Sequence, residues 1–245
     1  MNRRQIITAA ASVSGLAVAA KIADRYGLIP PDSGGIYGPG ATLNYASHRL
    51  LSRHALAREF PGNLISNPSH QNGKPPKDDA YTKHQTAGFA DWRLSIDGLV
   101  ARPASLSVAD LKTYPSTSQI THLACEEGWS FIAEWTGVRL AHVLNQVGVL
   151  PQAKYVVYFS IQPRWWDSVD MDEALHPQTL ITYGMNGGEL PPCHGAPLRL
   201  RVPRQLGYKS VKYITRLTVT DDIKKFGQGR GAFAAERGYA WYSGI

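Results

Sequence analysis

Thr121-His122-Leu123-Ala124-Cys125-Glu126-Glu127-Gly128-Trp129-Ser130 is the stretch from which the rest of this chain is read. From Ser118 to Ala124 polar and apolar residues alternate, the period of a half-buried strand. The pattern stops at Cys125, one of two cysteines in 245 residues, and gives way to two carboxylates, a glycine and a tryptophan. A thiol at a strand end beside acids and a flexible glycine has the make-up of a site. Three readings of it are open. A soft thiolate binds a metal. A nucleophile needs a base, and His122, three residues back, falls on the opposite strand face. A small buried hydrophobe needs no partner. No other Cys or His stands at zinc spacing, which counts against a Cys/His tetrahedral centre.

Upstream, Trp92 to Ile96 alternates and Asp97-Gly98 turns the chain toward Leu99-Val100, a hairpin signal. Ser107 to Asp110 opens a short capped helix reaching Tyr114. Downstream, Leu140, Val143, Leu144 and Val147 have helical spacing, closed by Gly148 and Pro151. Tyr155 to Phe159 is a buried strand by composition, and Asp170 to Glu173 starts another short helix. Met185 to Gly188 is a turn; Leu198, Leu200 and Val202 alternate with Arg199 and Arg201; Arg216 to Thr220 is a last strand. Nearer the start, Leu43 to Phe60 predicts a helix with Leu50, Leu51, Ala55 and Leu56 as its apolar face and Arg49, Arg53 and Arg58 as its basic one. Pro61 to Phe89 reads as a polar excursion over the surface, and Gly227 to Ile245 has no clear period. Strands outnumber short helices, so the fold class is α+β, with mixed sheets rather than a regular βαβ array.

The composition, 43% hydrophobic and 18% charged, is enough for a sizeable core. The formal net charge is +7, with basic residues scattered and densest over 199–212. Without an RNA-binding sheet signature or zinc-finger spacing, nucleic acid is not expected, and an anionic small molecule suits the charge better. There is no Gly-x-Gly-x-x-Gly or Walker loop and no Gly-x-Ser-x-Gly elbow, which removes weight from nucleotide-dependent and serine-hydrolase chemistry.

The chain opens with Arg3-Arg4, then an uncharged run from Gln5 to Ala20 that ends in small residues. That is the layout of an export signal. The run is shorter than the roughly 20 residues of a stable membrane span, and the paired arginines point to the twin-arginine route, which carries folded proteins. Lys21 to Thr42, broken by Pro30-Pro31, Gly34-Gly35 and Gly38-Pro39-Gly40, reads as a tether. The expected organisation is a leader and tether over 1–42 and one folded domain over 43–245, periplasmic and held at the membrane if the leader stays on.

Two further clusters follow Cys125. Pro192-Cys193-His194-Gly195-Ala196-Pro197-Leu198-Arg199 is an irregular loop that offers an imidazole and a guanidinium. Gly207-Tyr208-Lys209-Ser210-Val211-Lys212 adds two ammonium groups, a hydroxyl and backbone N–H groups, the composition of an anion cradle. Solvated basic loops are the plain alternative.

Taken in order, Cys125-Glu126-Glu127-Gly128-Trp129, Trp135-Thr136-Gly137-Val138, Tyr183-Gly184-Met185-Asn186-Gly187, Leu190-Pro191-Pro192, His194 to Leu200 and Gly207 to Lys212 resemble the sulfite oxidase family. Within it, the chain is most similar to the exported bacterial branch of molybdopterin-dependent oxidoreductases, the branch of periplasmic methionine sulfoxide reductase catalytic subunits. The likeness runs from about residue 45 to the C-terminus. It implies a sulfite oxidase-type α+β fold holding one molybdenum–molybdopterin cofactor per chain, with Cys125 as the protein ligand to molybdenum. It implies pterin or phosphate contacts from His194, Arg199, Ser210, Val211 and Lys212, a polar pterin contact from Ser160, and an N-terminal pterin-binding element at Arg53 and His54. Tyr239 is similar to the family's active-site tyrosine, while Glu126, Glu127 and Trp129 would wall the pocket. The implied activity is oxygen-atom transfer to or from a small S- or N-containing substrate. No b5-type haem domain or immunoglobulin-like dimerisation domain is recognisable, so the resemblance implies a monomeric catalytic subunit. Its electrons would pass to a separate haem-containing membrane protein or a cytochrome c. An exported binding or assembly module that keeps the fold without redox chemistry is the alternative.

Overall fold

The computed structural model describes residues 18, 21–23, 27–34 and 38–245. The twin-arginine pair and most of the run after it lie outside the described residues. Among the described residues no helix is long and apolar enough to cross a membrane.

Two five-stranded sheets both contribute to the largest core cluster, with two smaller clusters beside it. The first sheet contains β1 (Leu94–Gly98), β2 (Ala104–Leu106), β5 (Tyr155–Ser160), β6 (Trp166–Asp170) and β10 (Ile214–Thr220), in the order β2-β1-β10-β5-β6. The second contains β3 (Ser116–Ala124), β4 (Ser130–Arg139), β7 (Leu180–Met185), β8 (Gly188–Glu189) and β9 (Arg199–Arg201); it runs β3-β4-β7-β8, and β9 also pairs with β7. Among the described residues, β1 and β10 pair in parallel and the other strand pairs are antiparallel. Among the described residues, the short helices α1 (Gly38–Leu51), α2 (Asp79–Thr86), α3 (Val108–Thr113), α4 (Leu140–Val147), α5 (Met171–Ala174) and α6 (Phe233–Glu236) complete an α+β fold.

Several elements follow directly from local chemistry. Ser107 and Asp110 form the capping box that starts α3. Leu140, Val143, Leu144 and Val147 are all buried, and Gly148 closes α4 in the left-handed region. Truncating Leu144 would cost about 2–5 kcal/mol. Asp170 caps α5. Asn186 and Gly187, both at positive φ, make the tight turn between β7 and β8.

Three expectations need correction. β1 does form an antiparallel pair with the next strand, β2, but Asp97-Gly98 is not the tight turn between them. Its carboxylate accepts from Arg216 Nε and Thr218 Oγ1, each at 2.8 Å, and Leu99 N–H donates to Val219 O, so the chain runs on along β10. The first helix begins at Gly38, inside the expected tether, and ends at Leu51, where Arg204 Nη1 collects the carbonyls of Ser52, Arg53 and Ala55. Its buried face also differs from the expected one, although Arg53 and Arg58 are exposed as expected. Ala41, Tyr45 and Arg49 are buried, while Leu43, Leu50, Leu51 and Leu56 are exposed. Arg49 pairs with Asp170 and lies over the rings of Tyr45 and Tyr242, an inward partner that hydrophobic periodicity alone does not foresee. Finally, the 61–89 segment is more than an excursion. Phe60 and Ser66 N–H groups bond to Ile120 O and Ile132 O, and Tyr81 is fully buried.

Candidate cofactor site

β3 ends at Ala124, and Cys125 opens a tight turn. Its N–H donates to Trp129 O (2.9 Å), and Gly128 N–H donates back to Cys125 O (3.1 Å). The turn sets Cys125 in the wall of a cleft enclosing about 980 Å³, open mouth included. Leu123, Phe131, Trp129 and Trp165 give that wall its apolar part. His122, on the other face, packs against Phe60 at 6.4 Å, so it is not a base for this thiol. Sγ donates to Glu126 Oε2 at 3.1 Å. Burial pushes the thiol up to about 12, opposed by the Glu127 N–H and assisted by Glu126. Both cysteines are free thiols.

Across the cleft stands a cationic wall. Arg199 and Arg201 leave β9 two residues apart and therefore on one face. Arg199 donates to His194 O (2.9 Å) and Ser210 O (2.7 Å). Arg201 donates to His122 O (2.6 Å) and Ser210 Oγ (3.4 Å), tying the cysteine strand to the 207–212 loop. Both guanidiniums lie over Trp135, at 5.0 and 5.4 Å. Lys212 Nζ donates to Asn72 O (2.7 Å) and Cys193 O (2.6 Å). Gly195 makes room for that lysine, since a Cβ there would lie 2.9 Å from Lys212 Cβ. A Cβ on Gly207 would lie 3.3 Å from Ala124 O, so this glycine lets the 207–212 loop seat against the end of the cysteine strand.

Among the described residues none of these cations forms an ion pair; their partners are carbonyls, hydroxyls and an aromatic face. The buried Nε atoms of Arg199 and Arg201 have no partner at all. Burial lowers Arg199 to about 10 and Arg201 to about 9, and brings Lys212 down to about 8. It also takes His194 down to about 4, helped by Arg199 and Lys212, so the ring is neutral at pH 7.

The structure brings Cys125, His194, Arg199, Ser210, Val211 and Lys212 to one cleft. It does not bring Arg53, His54, Ser160 or Tyr239 into its wall. Arg53 is exposed and paired with Asp172 at 2.5 Å, and His54 is exposed beside it, because Arg204 anchors this backbone to the far side of the core. The N-terminal share of the wall comes instead from His70, Asn72 and Lys74. Ser160 Oγ accepts from Gln162 N–H (3.1 Å) and so shapes the turn that delivers Gln162 and Trp165. Tyr239 lies outside, 5.7 Å from the ring of Tyr208, which does line the cleft. Sequence reading missed Arg201, although its alternation with Arg199 was visible. It had no signal for His70, which stacks on Trp129 at 4.5 Å.

Among the described residues no group of three His, Cys, Asp or Glu side chains stands ready to hold a metal ion. A metal at Cys125 therefore needs ligands that arrive with it. Unpaired buried arginines and a lysine suit phosphate oxygens. The residues present thus fit a metal carried on an organic, phosphate-bearing group.

Comparison with known proteins agrees. Residues 81–226 match the family described as oxidoreductase molybdopterin binding domain. The chain is 35% identical over 195 residues to the "Putative protein-methionine-sulfoxide reductase subunit YedZ1" of Azospira oryzae, covering 80% of this chain and 70% of that one. It is 36% identical over 162 residues to the protein-methionine-sulfoxide reductase catalytic subunit MsrP of Xanthomonas axonopodis pv. citri and 33% identical over 169 residues to MsrP of Ralstonia nicotianae. These matches cover 60% and 63% of this chain, and 50% of each MsrP chain. Among solved structures, the sulfane dehydrogenase SoxCD of Paracoccus pantotrophus aligns with a TM-score of 0.54 at 25% identity, over 69% of this chain and 46% of that one.

Proposed function

The chain belongs to the oxidoreductase molybdopterin-binding domain family, and on that premise we propose that it reduces the sulfoxide of oxidised methionine. The observation that carries this reading is the cleft itself, where one thiol shares the wall with Arg199 and Lys212, neither of which has a carboxylate partner among the described residues, with buried Arg201 beside them. The names of the relatives supply the substrate class. The reaction converts a sulfoxide, two protons and two electrons into a thioether and water.

When bound, the molybdenum–pterin group supplies oxygen-atom transfer and two-electron storage. The chain's own residues do the rest. Cys125, as thiolate, would hold the metal. Arg199, Lys212, Ser210 and the backbone at Val211 would hold the group's anionic end, while Arg201 donates to Ser210 Oγ and so fixes that loop. Neutral His194 offers a ring nitrogen without adding a fourth charge. Trp129, Phe131 and Trp165 exclude water and favour the apolar thioether side of the substrate. Electrons come one at a time from a separate haem-containing donor, a membrane protein or a cytochrome c. The paired arginines at the start of the chain support export by the twin-arginine route.

The test is reduction of methionine sulfoxide by the loaded protein with a reduced dye as donor. Wild type turns over, and Cys125→Ser loses activity by about 10³-fold or more, as loss of a transition-state interaction of about 4 kcal/mol requires. Full activity in Cys125→Ser, or turnover of other oxides but not of sulfoxides, contradicts the proposal.

A further inference from the structure

Beyond the mouth of the cleft lies a shelf that the cleft's own chemistry does not require. The turn between β5 and β6 carries Arg164 at φ +69, a left-handed conformation that costs a non-glycine residue about 1 kcal/mol. Trp165 N–H closes that turn on Gln162 O at 3.2 Å. The result is a tryptophan that is 53% exposed yet still lines the cleft. Its ring meets Phe233 edge-on at 5.7 Å, and the Arg237 guanidinium lies over Phe233 at 5.2 Å. Tyr239, 42% exposed, leans on cleft residue Tyr208. Trp165 and Tyr208 therefore connect the cleft to an outer surface of Phe233, Tyr239 and exposed Arg164 and Arg237.

A free sulfoxide of small size touches only the cleft wall. Residues one layer further out meet a substrate only if its body stays outside while a side chain enters. Aromatic faces with arginines are also the composition that dominates protein-binding surfaces. The geometry points to this shelf as the docking surface for a polypeptide substrate, with Phe233 and Tyr239 under the main chain flanking the oxidised methionine and Arg164 and Arg237 selecting acidic neighbours. This assignment rests on the sulfoxide-reductase reading above.

The experiment compares free methionine sulfoxide with two synthetic peptides, each with one central methionine sulfoxide, flanked by glutamates in one and by lysines in the other. Loaded full-length protein is assayed with a dye donor, and binding of the labelled peptides is followed separately by fluorescence anisotropy. Phe233→Ala and Arg237→Glu are expected to weaken binding and raise KM for the glutamate-flanked peptide about tenfold, the loss of a moderate interface anchor, with kcat and all kinetics on free methionine sulfoxide unchanged. Arg237→Glu should also shift preference toward the lysine-flanked peptide. Equal losses on free and peptide sulfoxide, as a donor-docking or purely structural role would give, overturn the proposal, and so does no change on any substrate. Peptide binding that responds to both variants in a protein reducing neither substrate would uphold the shelf and refute the sulfoxide reading alone.

Discussion

Two sets of buried cations lie in this molecule, and they are treated in opposite ways. Behind the cleft, Lys209 meets Asp167 at 2.6 Å with both side chains 1% exposed, Arg204 meets Glu173 at 3.0 Å, and Arg49 meets Asp170. This clamp joins α1 and the C-terminal Trp241 and Tyr242 to the core; Trp241 bonds Ser168 Oγ at 2.8 Å and lies under Lys209. At the cleft, Arg199 and Lys212, with Arg201 beside them, have no carboxylate partner among the described residues. A buried charge without a counter-charge is costly, and the clamp shows that this chain places carboxylates where it needs them. Glu126 and Glu127 line the cleft but bond Cys125, Asn72 and Trp129 rather than these cations, which are left to an anion from outside the polypeptide.

The comparison can be broken first at the clamp. Glu173→Gln leaves Arg204 buried without its counter-charge, and a loss of about 3–5 kcal/mol in urea unfolding is expected. At the cleft, acid is the next largest probe. His194 titrates near 4 in the folded protein against 6.5 for an ordinary histidine. Between those values the unfolded chain holds a proton that the folded chain does not, so cofactor-free protein loses stability as pH falls from about 6.5 to about 4, then loses no more through this group. About 2 kcal/mol is expected after allowance for solvent access, and His194→Asn should remove that share of the slope. Smallest is Arg199→Met in cofactor-free protein. Removing a cation that has no carboxylate should change unfolding free energy by about 1 kcal/mol or less, in either direction. A loss as large as that of Glu173→Gln would erase the distinction between the two sets.

The parts of this architecture that depend on neighbours in sequence were legible. The capping box at Ser107, the Asn186-Gly187 turn, the α4 stripe and the strand leading to Cys125 all rest on short-range patterns. The cleft cations were legible because Arg199 and the Gly207–Lys212 run stand close to glycines that a packed loop requires. What failed depends on partners distant in the chain. Arg49 points inward to meet Asp170, 121 residues away in sequence, and Asp97-Gly98 stays in register with β10, held by Arg216 and Thr218, instead of turning the chain. Arg53-His54 carried a family-like pattern, but Arg204 pins that backbone elsewhere and the 70–74 segment takes the place at the cleft.

The most direct measurement is molybdenum and pterin content per chain in wild type, Cys125→Ser and the Arg199→Met/Lys212→Met pair. The account predicts close to one of each in wild type. It predicts retained pterin but no activity in Cys125→Ser, and pterin below about a tenth of wild type in the paired variant, since lost charge-assisted contacts of about 1.5–3 kcal/mol each lower affinity at least tenfold. Wild type without molybdenum, or a paired variant that keeps its pterin, would contradict it.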